Sequence, residues 1–76
     1  MEELIQEQTT YWKAVKDVNQ KTYSANEALM FITDKDKDPE TYVNARLNRE
    51  IAWAFITAAD VALLNLNELL EKMMNQ

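Results

Sequence analysis

Apolar residues in the first part of the chain recur at alternating steps of four and three residues. The positions with this spacing are Leu4, Gln8, Tyr11, Val15, Val18, Thr22, Ala25, Leu29 and Ile32, and all except Gln8 and Thr22 are apolar. Such spacing is typical of an amphipathic helix that packs in a bundle. Ile5, Trp12, Tyr23 and Met30 widen the apolar stripe on one flank. The pattern predicts a helix over residues 3–33.

A break in this helix near residue 22 is the alternative. The sequence Ser24-Ala25-Asn26-Glu27 has the form of a capping box, in which Ser24 would be the N-cap and Glu27 the third helical residue. The preceding Thr22 and Tyr23 are weak helix formers. Because the apolar spacing keeps its phase across this point, we expect a continuous helix, with a kink as the form that would satisfy both patterns.

Residues 34–38 form the one clear loop. They read Asp-Lys-Asp-Lys-Asp, contain no apolar side chain and precede the only proline, Pro39. Asp38 suits the N-cap of a second helix and Pro39 its first position. A short loop between two long helices predicts antiparallel neighbours. The fold class is therefore all-α, a single helical-hairpin domain over residues 1–76 whose second helix spans 39–74.

The second helix has an unusually wide apolar surface. On a helical wheel its polar residues occupy a sector of about 100°. Those polar residues are Arg46, Arg49, Glu50, Thr57, Asp60, Asn67, Glu68 and Glu71. A surface helix ordinarily has an apolar stripe only a little wider than about 100°. One neighbouring helix therefore cannot bury the apolar surface of this one.

Alanines provide room for a second neighbour. Ala45, Ala52 and Ala59 recur every seven residues, and small residues allow helices to approach closely. We therefore expect two hairpins to pair as a homodimeric four-helix bundle, since isologous dimers are the commonest oligomers. The expected dimer interface consists of Ile51, Phe55, Ala58, Ala62, Leu66 and Leu69.

Composition supports assembly and limits the chemistry. The chain has 76 residues and neither Cys nor His, which excludes disulfides and thiolate or imidazole metal ligands. A core this small supplies only about 3–5 kcal/mol, so oligomerisation is the remaining support. The net charge of −5, with scattered basic residues, argues against nucleic-acid binding.

The location expected from the sequence is the cytoplasm. The chain start, Met1-Glu2-Glu3, lacks the basic stretch of a secretory signal. The longest stretch without charge is the nine residues 51–59, whereas a membrane-spanning helix needs about 20 apolar residues. We therefore expect no membrane association.

Candidate metal and catalytic sites fail on their residue types. The acidic loop opens like a calcium-binding loop, but Pro39 stands where glycine is needed and Ala45 where a bidentate Glu is needed. No His or Cys can act as base or nucleophile. No pair of acidic motifs faces another helix in mid-bundle, so we expect no catalysis, no metal and no cofactor.

Exposed aromatic and acidic residues are the candidates for partner binding. Trp53 and Leu64 fall in the polar sector of the second helix, and Phe31 lies on the polar side of the first. Exposed aromatics often anchor protein interfaces, so we expect a partner to contact these three residues together with Asp34 and Asp36. The alternative for Trp53 is packing over a neighbouring helix or in the dimer interface.

Amides lie on or beside the apolar arcs of both helices. They are Gln8, Asn19, Asn26, Asn44, Asn48 and Asn65. We interpret them as residues that fix helix register, as buried Asn does in coiled coils, with a polar pocket as the less favoured alternative.

The expected function is that of a small, non-enzymatic regulator or inhibitor that binds another protein as a homodimer. Its composition is typical of small phage or mobile-element proteins. Two alternatives stay open. The chain could be a structural subunit whose wide apolar surface meets a different protein, or an acidic mimic of nucleic acid whose binding would weaken with salt.

Overall fold

Two helices account for nearly the whole chain. The computed structural model describes residues 1–75 and contains α1, Glu2–Ile32, and α2, Pro39–Met74. They pack against each other as an antiparallel hairpin 61 Å long and 14 Å wide. The all-helical hairpin predicted from the sequence is confirmed. Its pairing into a four-helix bundle remains a proposal.

The helix α1 is continuous through residues 22–27. Instead of capping a new helix there, the polar side chains bond to α1's own backbone. The Thr22 hydroxyl donates to the Val18 carbonyl at 3.0 Å, and Asn26 Nδ2 donates to the Thr22 carbonyl at 2.8 Å. The capping-box alternative at Ser24 is therefore not adopted: Ser24 and Glu27 both lie inside the continuous helix, where Thr22 and Asn26 bond to carbonyls one turn earlier.

The loop is held by two aspartates. Asp34 Oδ1 accepts hydrogen bonds from the backbone N–H groups of Asp36 and Lys37, at 2.9 and 3.4 Å. Asp38 Oδ1 accepts from the Thr41 N–H at 3.2 Å, and Pro39 follows as the first residue of α2. Asp38 thus satisfies one of the free donors at the start of α2.

Replacement of Asp38 by alanine is expected to lower the free energy of unfolding by about 1 kcal/mol, because the Thr41 N–H loses its cap. Asp36→Ala is the matched control, since it also removes one loop carboxylate and leaves both caps in place. Thermal unfolding followed by circular dichroism measures the difference. Equal destabilisation by the two substitutions would argue against a capping role.

The contact between the helices, here called the seam, is narrow and contains few large apolar side chains. Five residues are buried: Ile5, Ala45, Ala52, Ile56 and Ala59. The three alanines, spaced seven apart, are at most 1% exposed. They bring the two helices close together, as small residues do at helix crossings. The hairpin by itself therefore has a very small core.

The seam on α1 lies one residue later than the sequence pattern predicts. The shielded positions of this later series are Ile5, Thr9, Trp12, Lys16, Asn19, Tyr23, Asn26 and Met30, and Val15 is the one residue of the predicted stripe within α1 that is also half-buried. Leu4, Tyr11 and Val18, which belong to the predicted stripe, are more than half exposed. The residues expected to be a flank thus form the contact with α2. Both series have the same 4-3 spacing, so spacing alone does not select between them.

Candidate protein-binding surfaces

One side of the hairpin is mostly apolar and carries no charged side chain over residues 4–32 of α1 and 44–69 of α2; Lys72 continues the same row of α2 beyond Leu69. On each helix its residues directly precede the seam positions. In an antiparallel pair, the residue that directly precedes a seam position lies on the same side of the pair in both helices. The two rows of residues are therefore adjacent. We call this surface the open face. Its members are Leu4, Gln8, Tyr11, Val15, Val18, Thr22, Ala25, Leu29 and Ile32 of α1, and Asn44, Asn48, Ile51, Phe55, Ala58, Ala62, Asn65 and Leu69 of α2.

The open face is largely exposed to solvent. Ile51 and Phe55 are 47% and 50% exposed, and Tyr11 is 57% exposed. A face of 61 by 14 Å has an area of about 850 Å², and a standard protein interface buries about 800 Å² on each partner. Contiguous exposed apolar surface larger than a few hundred Å² marks interaction sites. The open face is therefore large enough to hold a protein partner.

Four of the expected interface residues are exposed on the open face: Ile51, Phe55, Ala58 and Leu69. Ala62 lies on the same face and is half-buried. Leu66 differs because it occupies a seam position, where α1 partly covers it. Sequence reasoning missed the contribution of α1, whose apolar row it assigned to the hairpin contact. The second 4-3 series, one residue later and containing Trp12 and Tyr23, was the available signal.

The helix α2 also meets the length and hydropathy criterion for a membrane-spanning helix. An 18-residue segment of this helix, with mean hydropathy 1.2, is long and apolar enough to cross a membrane by length and composition. Core helices of soluble proteins satisfy the same criterion. Only 11% of that segment is buried within the hairpin, so α1 alone does not cover the apolar surface of α2.

The opposite side of the hairpin is polar and includes the candidate partner-binding residues. We call it the polar face; its residues directly follow the seam positions. Trp53 and Leu64 are 56% and 58% exposed, and Phe31 is 90% exposed. The three share this face but do not form one cluster, because they are spaced along about 28 Å of hairpin at 1.5 Å per residue. Asp34 and Asp36 lie beyond Phe31 in the loop.

Trp53 belongs to a compact group that joins the two helices. Its ring lies 6.0 Å from that of Tyr23, and the Arg49 guanidinium lies 5.9 Å from the Tyr23 ring centroid. Arg49 Nη2 also donates to Glu50 at 3.1 Å, and its Nη1 lies 3.9 Å from Glu27. Trp, Tyr and Arg are the residue types most enriched at energetic centres of protein interfaces. The sequence pattern did not predict this grouping, because it depends on the register between the helices.

Ion pairs on the polar face fix that register only weakly. Lys16 Nζ lies 2.6 Å from Asp60, and both side chains are partly exposed. Pairs of this kind contribute about 0–1 kcal/mol. Arg49 Nε is shielded from solvent and has no hydrogen-bond partner within residues 1–75, which is a cost to the hairpin.

The amides do not link the helices. Asn19 Nδ2 donates to the Val15 carbonyl and Asn26 to that of Thr22, both within α1 at 2.8 Å. Gln8, Asn44 and Asn65 are exposed on the open face. The hydrogen bonds within the hairpin therefore do not support the predicted role of the amides in fixing helix register. The amides of the open face are available to hydrogen-bond with a molecule that covers this face.

Candidate ligand sites are sparse in the part of the chain that the structure describes. Within residues 1–75 no three acidic side chains converge in a way that could hold a metal ion. A shallow depression of about 450 Å³ runs along Glu3, Gln6, Glu7 and Thr10, and its walls come from α1 alone. Comparison of the chain with protein families, with characterised proteins and with solved structures finds no match.

Proposed function

We propose that this protein is a homodimeric, non-enzymatic regulator or inhibitor that binds another protein. Two hairpins bury their open faces against each other and form a four-helix bundle, and each polar face then binds a partner. The observation that carries the proposal is the open face, which spans both helices, is exposed and has no charged residue.

The weakness of the seam supports a second copy as the occupant. α1 contributes Thr9, Lys16, Asn19 and Asn26 to the seam, and only five residues of the hairpin are buried. Domains of this size reach about 3–5 kcal/mol only with a well-filled core or additional support. Neither disulfides nor His or Cys metal ligands can provide that support, because the chain lacks both residues. Burial of about 850 Å² per copy would provide it.

Dimerisation through the open face leaves both polar faces outside. They would lie on opposite sides of the bundle, so one dimer would present two equivalent sites. Each site centres on Trp53, with Tyr23 and Arg49 beside it and Glu27 and Glu50 at its rim. Such a site suits a protein surface that combines an apolar pocket with basic residues.

The molar mass in solution tests the dimer. Sedimentation equilibrium over a concentration series is expected to give twice the chain mass of 8.9 kDa. A well-ordered monomer at high concentration would contradict the proposal. Aggregation of the pure chain would favour the alternative of a structural subunit whose open face meets a different protein.

Polar replacement of the exposed aromatics tests partner binding. Trp53→Gln together with Phe31→Gln is expected to weaken capture of the partner by about 30-fold or more, since one hot-spot residue contributes about 2 kcal/mol. The molar mass should stay that of the dimer. Val43→Gln, an exposed position on the side of α2 that faces away from α1, is the control and should bind normally. Equal binding by all three proteins would exclude this surface.

A further inference from the structure

We infer that the second copy docks antiparallel, with the two loops at opposite ends of the bundle and the two-fold axis passing between Val18 and Ala58. This inference rests on the proposed homodimer and specifies its geometry. In this arrangement α1 lies on α1 of the second copy, and α2 lies on α2. In the other two-fold arrangement the loops share one end, and α1 lies on α2 of the second copy.

Contacts across the hairpin show which residues lie at the same height. Three contacts join the helices: Lys16–Asp60, Tyr23–Trp53 and Glu27–Arg49. From one contact to the next, the residue number rises on α1 by as much as it falls on α2. The same step places Val18 level with Ala58. Both belong to the open face and lie close to the middle of their helices. One perpendicular axis can therefore pass beside both residues and overlap the two hairpins along their full length.

Side-chain size fits the antiparallel arrangement. Tyr11 and Phe55 are the aromatic residues of the open face. With the axis at Val18, Tyr11 is level with Ala25 of the second copy, seven residues away on the other side. With the axis at Ala58, Phe55 is level with Val61 of the second copy, and the open-face residues nearest to that height are Ala62 and Ala58. Both large rings therefore lie opposite small residues of the open face, as close packing requires.

The other arrangement creates unfavourable contacts. Because α1 would lie on α2 of the second copy at equal height, Leu4 would lie level with Lys72, which continues the open-face row of α2 beyond Leu69. A charged residue at the edge of an apolar interface loses hydration without gaining a partner. The antiparallel arrangement instead pairs Leu4 with Ile32, its mirror position about Val18.

Charge at the two ends also favours the antiparallel arrangement. The end with the chain termini carries Glu2, Glu3, Glu7, Glu68 and Glu71, with Lys72 as the basic side chain. The loop end alternates Asp with Lys35 and Lys37. Loops at one end would bring two strongly acidic termini within about a Debye length of each other. Opposed loops instead place each acidic end beside a loop in which Lys35 and Lys37 offset two of the three aspartates.

Single cysteines distinguish the arrangements, because the natural chain contains none. A residue on a two-fold axis faces its own copy. Val18→Cys and Ala58→Cys are therefore each expected to form a disulfide-linked dimer with oxidised glutathione, about tenfold faster or more than the exposed control Val43→Cys, because proximity raises effective concentration. In the other arrangement Val18 of one copy lies level with Ala58 of the second copy, so a disulfide between copies needs both cysteines. The double variant Val18→Cys/Ala58→Cys tests that arrangement.

Cross-linking that needs both cysteines would overturn the antiparallel inference and leave the dimer intact. Sedimentation as a monomer, with all single variants as slow as Val43→Cys, would refute the proposed function as well. A dimer with neither pattern would place the axis elsewhere and also overturn the inference. Spin labels on Lys37→Cys give an independent distance, expected near the hairpin length of 61 Å. A separation of about 20 Å, the width of two packed helices, would contradict it.

Discussion

Val18→Asp is expected to convert the dimer into a monomer. The substitution places a carboxylate in the centre of the charge-free open face, and in an antiparallel dimer it meets its own copy at the two-fold axis. Burial of an unpaired charge costs several kcal/mol, and each 1.4 kcal/mol corresponds to a factor of ten. We therefore expect the dissociation constant to rise by about 100-fold or more. Sedimentation equilibrium measures the shift directly.

Val43→Asp is the matched control for this prediction. Val43 and Val18 are the same residue type and are 58% and 60% exposed in the hairpin, but Val43 lies outside the open face. Its replacement should leave the dissociation constant within a few fold of that of the natural chain. If both variants stay dimeric, the open face is not the interface. If both dissociate, the effect comes from added charge and not from position.

The Val18→Asp and Val43→Asp variants also show how much of the stability of the folded chain comes from dimerisation. The hairpin buries five residues, and its seam includes a lysine, an arginine and two asparagines. We expect the Val18→Asp monomer to unfold at lower temperature than the Val43→Asp dimer, and unfolding of the natural chain to depend on concentration, because binding that favours the folded state raises apparent stability. Circular dichroism melts at two concentrations test this point.

Ala59→Leu is expected to disrupt the hairpin itself. Ala59 is completely buried, and its small side chain lets α1 and α2 approach closely. A leucine there forces the helices apart or leaves them strained, which costs about 1–3 kcal/mol. This loss is a large share of the total stability of a domain this small. At about 4–8 °C per kcal/mol, the melting temperature should fall by about 4–24 °C.

Ala54→Leu provides the comparison for Ala59→Leu. Ala54 is exposed on the side of α2 that faces away from α1, and leucine is nearly as good a helix former as alanine. The melting temperature of this variant should change by no more than a few degrees. Tolerance of leucine at Ala59 would show that the helices are not held at the distance that the buried alanines indicate.

The local elements were determined by the sequence alone. The 4-3 spacing predicted the first long helix, and the narrow polar sector on the helical wheel predicted the second. The run of Asp and Lys before Pro39 placed the turn between them, because caps and turn residues act on neighbouring backbone groups. The excess of apolar surface on α2 was also visible in the sequence, since a helical wheel depends on periodicity alone. Most of the expected interface residues accordingly lie on the open face.

Only the tertiary structure decided which of two rows of α1 with the same spacing meets α2. The row with Leu4 and Val18 and the row with Ile5 and Trp12 have the same spacing and adjoin on the helix, so their periodicity is identical. The choice depends on the packing between the helices, which half-buries Trp12, Tyr23 and Met30 of α1 and buries the three alanines of α2. Helix register, set by the same packing, then joins Tyr23, Arg49 and Trp53. Contacts between residues far apart in the chain have no counterpart in local pattern.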